Sequence, residues 1–161
     1  MEKIPTSSSC VERITVPHYL VRHDPVVTLN DVEKKLGVSR RVMVKTLLFQ
    51  RADTGQYVLV ALRGNDKIDR SKLARALEAE RGDVLLVPRE RVEQVIGLPF
   101  GGLRPFGHDP EKFKVVFDRA ILENRTVFCS AGEPTQTLVI KPRDLVKISE
   151  GICRDICLQG D

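Results

Sequence analysis

The sequence predicts a mixed-sheet α/β (α+β) fold, and three observations carry that reading. Short runs rich in valine, leucine and phenylalanine recur along the 161 residues and read as strands. Between them lie segments whose apolar residues follow helical spacing, opened by capping residues and in two cases closed by glycine. Strands and helices do not alternate strictly, which points to mixed rather than all-parallel pairing.

Residues 19–23 read as the first strand, closed by Asp24-Pro25. Thr28 then caps a helix with Leu29, Val32 and Leu36 on one side, and Gly37 ends it, because glycine adopts the left-handed closing conformation at least cost. Residues 41–51 and 56–62 flank Asp53-Thr54-Gly55 in the pattern of a β-hairpin. Both strands are apolar on both faces, so the hairpin is expected in the middle of the sheet. Asp69 caps a second helix carrying Leu73, Ala76 and Leu77. Residues 84–87 form a short strand, and Pro88 opens a third helix with Val92, Val95 and Ile96 inward and Gly97 at its end. After the Gly/Pro-rich stretch 97–110, strands are expected at 114–117, 127–129 and 137–140. Pro142 begins a last helix with Leu145, Val146 and Ile148, and a terminal strand falls near 152–158.

A content of 42% hydrophobic and 30% charged residues fits one globular domain and argues against disorder. The domain is expected over residues 16–161, with a loose tail over 1–15. No apolar run of about 18 residues occurs, and residues 1–9 lack the basic-then-apolar pattern of a secretory signal. We therefore expect a cytoplasmic protein with no membrane partner. Cys10, Cys129, Cys153 and Cys157 form no Cys-x-x-Cys pair, which argues against a zinc site. Cys153 and Cys157 would face each other only in a helix.

The formal charge is +4, and between Lys34 and Lys45 stand Lys34, Lys35, Arg40, Arg41 and Lys45 with no acidic residue. Such a run is either a solvated face or a contact for nucleic-acid phosphates.

Three segments can carry chemistry. Lys45 shares a strand face with Met43, Leu47 and Phe49, while Val44, Thr46 and Leu48 line the other. An ammonium in so apolar a strand must reach a pocket, a carboxylate or an anion, or else snorkel to water from the strand end. The second segment, Gly101-Gly102-Leu103-Arg104-Pro105-Phe106-Gly107, is either a connecting loop or a backbone whose N–H groups face a ligand. The third, Ser130-Ala131-Gly132-Glu133-Pro134, is a small-residue turn able to form a pocket wall. His18, His23 and His108 are scattered and have no nucleophile elbow beside them, so a Ser-His-Asp triad is not indicated.

Taken together and in order, these segments resemble the YbaK/ProX family of aminoacyl-tRNA deacylases, related to the editing domain inserted in bacterial prolyl-tRNA synthetases. The resemblance rests on Val44-Lys45-Thr46-Leu47-Leu48, on Gly101-Gly102-x-x-Pro105-x-Gly107, on Ser130-x-Gly132 and on Pro142-x-Asp144-Leu145, with His23-Asp24-Pro25 near the start. It implies a mixed, partly barrel-like sheet flanked by helices. It also implies a hydrolase of mischarged tRNA acting in trans, with no metal, no cofactor and no covalent intermediate.

By the same resemblance, Lys45 falls on the essential lysine that engages the terminal adenosine and its phosphate. Gly101 and Gly102 join it as catalytic residues, their loop supplying donors. Pro105, Gly107, Ser130, Ala131, Gly132, Glu133 and Val21 are expected to bind the aminoacyl group. Lys34, Lys35, Arg40 and Arg41 are expected to contact tRNA, and an aminoacyl-tRNA synthetase is a further partner to consider. An aminoacyl ester is activated by its neighbouring ribose hydroxyl, so positioning and oxyanion donors suffice without a triad.

The departures from the family fall on the substrate question. Val21 replaces a tyrosine, Arg104 replaces a small residue, and Glu133-Pro134 stands where relatives carry a basic pair or a histidine. The usual family substrate is cysteine or alanine on the tRNA for proline. The rival reading is an inactive module of the same fold that binds an RNA 3′ end or a nucleotide.

Overall fold

A computed structural model describes residues 10–97 and 103–159. The strands are β1 (His18–Arg22), β2 (Met43–Arg51), β3 (Tyr57–Arg63), β4 (Val84–Leu86), β5 (Phe113–Asp118), β6 (Val127–Ser130), β7 (Gln136–Ile140) and β8 (Ile152–Arg154). The helices are α1 (Leu29–Leu36), α2 (Arg70–Ala76), α3 (Arg89–Ile96) and α4 (Pro142–Ile148).

Local chemistry sets the element ends. Thr28 Oγ1 accepts from the Asp31 amide at 3.2 Å, and the Asp31 carboxylate accepts from the Thr28 amide at 3.1 Å, closing a capping box on α1. Gly37 closes the helix at φ +65°. The Asp69 carboxylate caps α2 by accepting from the amides of Ser71 and Lys72.

One mixed sheet runs β1-β7-β6-β2-β3-β5-β8, with β4 paired to the far end of β2. The β2–β3 hairpin is central and antiparallel, from Val44↔Arg63 to Gln50↔Tyr57. Alternation along it feeds two cores, as its doubly apolar strands require. Leu59 and Ala61 join Val44, Leu48, Phe117 and Leu145 in one, while Val58, Val60 and Leu62 join Phe49, Leu73 and Leu77 in the other.

The feature that makes room for a site is on the edge of β2. Strand β6 pairs with it in parallel at Met43↔Phe128 and Val44↔Cys129, whereas β4 pairs antiparallel at Phe49↔Leu86 to Arg51↔Val84. Among the described residues, no strand ladder covers 45–48 on that edge. The sheet parts there.

One expectation needs correction. The tail is not loose through residue 15: Val11 is buried in the first core, with Ile14 and Val16 packed beside it. Val11 and Ile14 share a face of a single turn, closed by the Ile14 amide on the Val11 carbonyl at 3.0 Å, which is too short to show as sequence periodicity. The expected terminal strand forms as β8, so the chain around Cys153 and Cys157 is not helical and the two do not face each other across a helical turn. Cys153 lies in β8, parallel to β5, and Cys157 bridges Ile68, so extended pairing with the sheet sets their directions. All four cysteines are free thiols.

Candidate active site

A cavity of about 350 Å³ opens where the sheet parts. Val44, Lys45 and Thr46 of β2 form one wall, and Phe128, Cys129 and Ser130 of β6 form the next. Val26, Leu29 and Val32 close it from α1 and the segment before it, and Leu103, Glu133, Gln136 and Thr137 complete it. Among the described lining residues Lys45 is the one cation and Glu133 the one carboxylate.

Lys45 Nζ donates to the carbonyls of Gly64, at 3.2 Å, and Asp66. An ammonium has three donors, so one remains for a ligand. Burial is the main cause that lowers the pKa of Lys45 below the ordinary lysine value, and nearby Cys157 and Asp66 oppose it.

The turn after β3 is shaped to present those carbonyls. The Gly64 amide donates to the carbonyls of Arg40 (3.0 Å) and Met43 (2.9 Å), and Arg63 pairs with Asp66 at 2.7 Å. A Cβ on Gly64 would stand 2.9 Å from the Arg40 carbonyl oxygen, so only glycine fits without a shift. Sequence reasoning missed Gly64 and Asp66, since nothing ties this turn to a lysine 19 and 21 residues earlier.

The other expected site residues divide. Ser130 and Glu133 line the cavity with Lys45, and Leu103 brings the glycine-rich segment to its wall. Ala131 and Gly132 are buried behind Ser130, whose Oγ accepts from the Gly132 amide at 3.2 Å. Pro105 is buried and Gly107 exposed, both off the wall. Gly101 and Gly102 lie outside the described residues.

Val21 is off the wall too, contrary to expectation. It pairs with Thr137 across β1 and β7, and it is Thr137 that reaches the cavity. His23 Nε2 meets the Thr137 hydroxyl at 2.8 Å while Nδ1 donates to the Asp24 carbonyl at 2.7 Å. Thr46, Gln136 and Thr137 were not singled out from sequence, although Thr46 Oγ1 and Gln136 Oε1 are buried and without a partner among the described residues. The signal available was polar residues inside apolar strands.

The basic run is exposed but partly committed. Arg40 pairs with Glu33 at 3.3 Å and also donates to Asn30, and Lys35 Nζ donates to the Pro25 carbonyl at 2.9 Å. Lys34 and Arg41 make no side-chain bond of this kind among the described residues.

Burial pushes the Cys129 thiol up to about 12, so it stays protonated near neutrality and is a poor nucleophile. Ligand atoms of Asp66, Asp118 and Cys157 lie within 4.8 Å of one another. The Asp118 carboxylate already accepts from the amides of Ala120 and Ile156, both at 3.1 Å, and Asp66 is paired with Arg63.

His108 Nε2 donates to the Arg104 carbonyl at 2.8 Å, and burial is the main cause that lowers its pKa below 6.5. The unfolded chain then takes up this proton first as pH falls. Stability from His108 is complete above about 6.5 and is lost as pH drops through the lower folded value. Urea midpoints at pH 7 and 5 should therefore fall more for the wild type than for His108→Gln. Equal falls would contradict this.

The sequence profile of the aminoacyl-tRNA editing domain matches residues 23–148, so the chain belongs to that family. It is an aminoacyl-tRNA deacylase, a hydrolase of the ester between amino acid and tRNA. Among its relatives is the prolyl-tRNA editing protein ProX of Acetoanaerobium sticklandii, 26% identical over 141 residues that cover 86% of this chain and 85% of the relative. The proline–tRNA ligase of Streptococcus suis is 36% identical over 106 residues, 66% of this chain but 16% of the ligase. A solved structure of protein APE2540 superposes with a TM-score of 0.84 at 23% identity, covering 94% of this chain and 98% of the other. A candidate trans-editing enzyme for prolyl tRNA synthetase superposes at 0.81 and 20% identity, covering 98% and 100%. At these identities the two structures show the fold alone. Among the described residues no helix is long and apolar enough to cross a membrane.

Proposed function

We propose that the protein acts in trans to release alanine or cysteine mischarged on the tRNA for proline, in the cytoplasm. The observation that carries this reading is the small, mainly apolar cavity holding one cation and one carboxylate. A small side chain fits its apolar part, Glu133 meets the α-ammonium, and the free donor of Lys45 takes the phosphate of the terminal adenosine. ProX, a prolyl-tRNA editing protein, supports the choice of tRNA, because the two chains match over most of both lengths.

The reaction needs only water. Its oxygen attacks the ester carbonyl carbon, and backbone donors of the 101–107 loop stabilise the resulting oxyanion. The bond to the ribose oxygen breaks, and that oxygen takes a proton, leaving free amino acid and a tRNA hydroxyl. In this reading Ser130 and Thr137, on the cavity wall, orient the water and the ribose.

Lys34 and Arg41, with Lys35 and Arg40 beside them, supply the contact with acceptor-stem phosphates, and a synthetase delivering the tRNA is compatible with this face. Replacing Lys34 and Arg41 by Gln should flatten the log-log salt dependence of tRNA binding by about 0.7 to 0.9 per lost contact. An unchanged slope would make the run a solvated face.

Release of radiolabelled amino acid from a panel of charged tRNAs tests the specificity. Alanine or cysteine should leave the tRNA for proline while correctly attached proline stays. Tight binding of every tRNA with release no faster than in buffer would establish the inactive binding module instead.

A further inference from the structure

We propose that Arg104 is a positioning residue for deacylation, tying the 103–108 loop to the N-terminal segment and holding the loop backbone against the ester. The proposal rests on the reading above that this loop holds the aminoacyl group.

Arg104 is 4% exposed. Arginine is almost never so buried without a carboxylate, yet no ion pair reaches it among the described residues. The loop itself satisfies it in part. Nε donates to the Phe106 carbonyl at 3.0 Å, and the guanidinium sits 5.4 Å from the centre of the Phe106 ring. The Arg104 carbonyl in turn accepts from His108 Nε2 at 2.8 Å. Loop residues 104, 106 and 108 are thus linked to one another, Phe106 through the Arg104 side chain and His108 through the Arg104 backbone.

A second anchor comes from far along the chain. Nη2 donates to Cys10 Sγ at 3.2 Å, and the next residue, Val11, is fixed in the core at 3% exposure. Gly107 closes the assembly at φ +82°, where a Cβ would fall 3.1 Å from Cys10 Sγ and 3.2 Å from Nη2. Nη1 is buried and unpartnered among the described residues.

Packing alone does not explain a charge there, because an apolar side chain of similar volume commonly matches or exceeds the stability of a buried ionic group. The gain is control of geometry next to the cavity. Leu103, the residue before Arg104, lines the cavity, and Cys129, which lines it from β6, feels the guanidinium charge, which opposes the upward push of burial on its thiol. A loop fixed from behind in this way keeps its amides aimed without any side chain entering the cavity. The N-terminal segment is then part of the support of the active site.

Single-turnover deacylation with excess enzyme, tRNA affinity and amide exchange over residues 103–108 test this in Arg104→Met, Arg104→Lys, Cys10→Ala and the Arg104→Met/Cys10→Ala double variant. Arg104→Met should keep its circular dichroism and tRNA Kd, exchange faster in the loop and lose about 10- to 100-fold in rate, the scale expected of a misplaced reacting group. Arg104→Lys should recover part of the rate, since an ammonium cannot hold both acceptors of the planar fork. Cys10→Ala should lose less, and the double variant should be no slower than Arg104→Met, because Cys10 acts through the guanidinium. A wild-type rate in Arg104→Met, or additive losses, would overturn the proposal. If Arg104→Met does not fold, Cys10→Ala decides, and wild-type rate and exchange there would overturn it as well. If the wild type releases no amino acid, the functional reading fails, and exchange alone still reports whether Arg104 and Cys10 hold the loop.

Discussion

Lys45→Ala is expected to fold normally and to slow deacylation about 100- to 1000-fold, the loss typical of removing one electrostatic anchor from a preorganised site. The fold should survive because the ammonium fills no core position. It ends on the carbonyls of Gly64 and Asp66, with the apolar burden of β2 carried by Val44, Leu48 and Phe49. Lys45→Arg should restore only part of the rate, since a planar guanidinium is broader than a point charge and cannot meet the same carbonyls and a phosphate together. Wild-type rates in both variants would reduce Lys45 to a structural lysine.

Gly64→Ala should cost both stability and rate. Its Cβ would press on the backbone oxygen of Arg40 at 2.9 Å and on Cβ of Arg40 and Met43 at 3.3 and 3.4 Å. A backbone oxygen held by the Gly64 amide cannot swing aside, so the turn must move, at about 1–3 kcal/mol as for other overpacked sites. The carbonyls that hold Lys45 move with it. Single-turnover rates measured well below the unfolding transition should fall along with the urea midpoint. Unchanged values of both would show that the turn gives way freely and does not set the position of Lys45.

The parts of this architecture that were legible in the sequence are those fixed by near neighbours. Thr28 ahead of α1, Asp69 ahead of α2, and Asp53-Thr54-Gly55 between two apolar strands each encode their element within a few residues, and each forms as expected. Lys45 was visible because a charge in a doubly apolar strand demands a destination. The destination itself was not visible, since the carbonyls of Gly64 and Asp66 arrive through the hairpin register. Val21 and Thr137 show the same limit: they are paired partners, but Thr137 lies one strand nearer to β2 and reaches the cavity, and strand order is not written in either residue type. The glycine-rich segment suggested an open backbone, and nothing in its composition foretold that Arg104 would fold back inside it. The short 3-10 turns at Arg40–Val42, Arg81–Asp83 and Arg119–Glu123 leave too brief a pattern to read.

The central claim is that the ester is cleaved in the cavity beside Lys45. A crystal structure with a stable amide analogue of 3′-alanyl-adenosine monophosphate tests it most directly. The account predicts the alanyl group between Cys129, Glu133 and Gln136, with the phosphate on Lys45 Nζ. An analogue seated instead in the polar groove formed by Arg41, Arg63 and Arg119, with the cavity beside Lys45 empty, would contradict it.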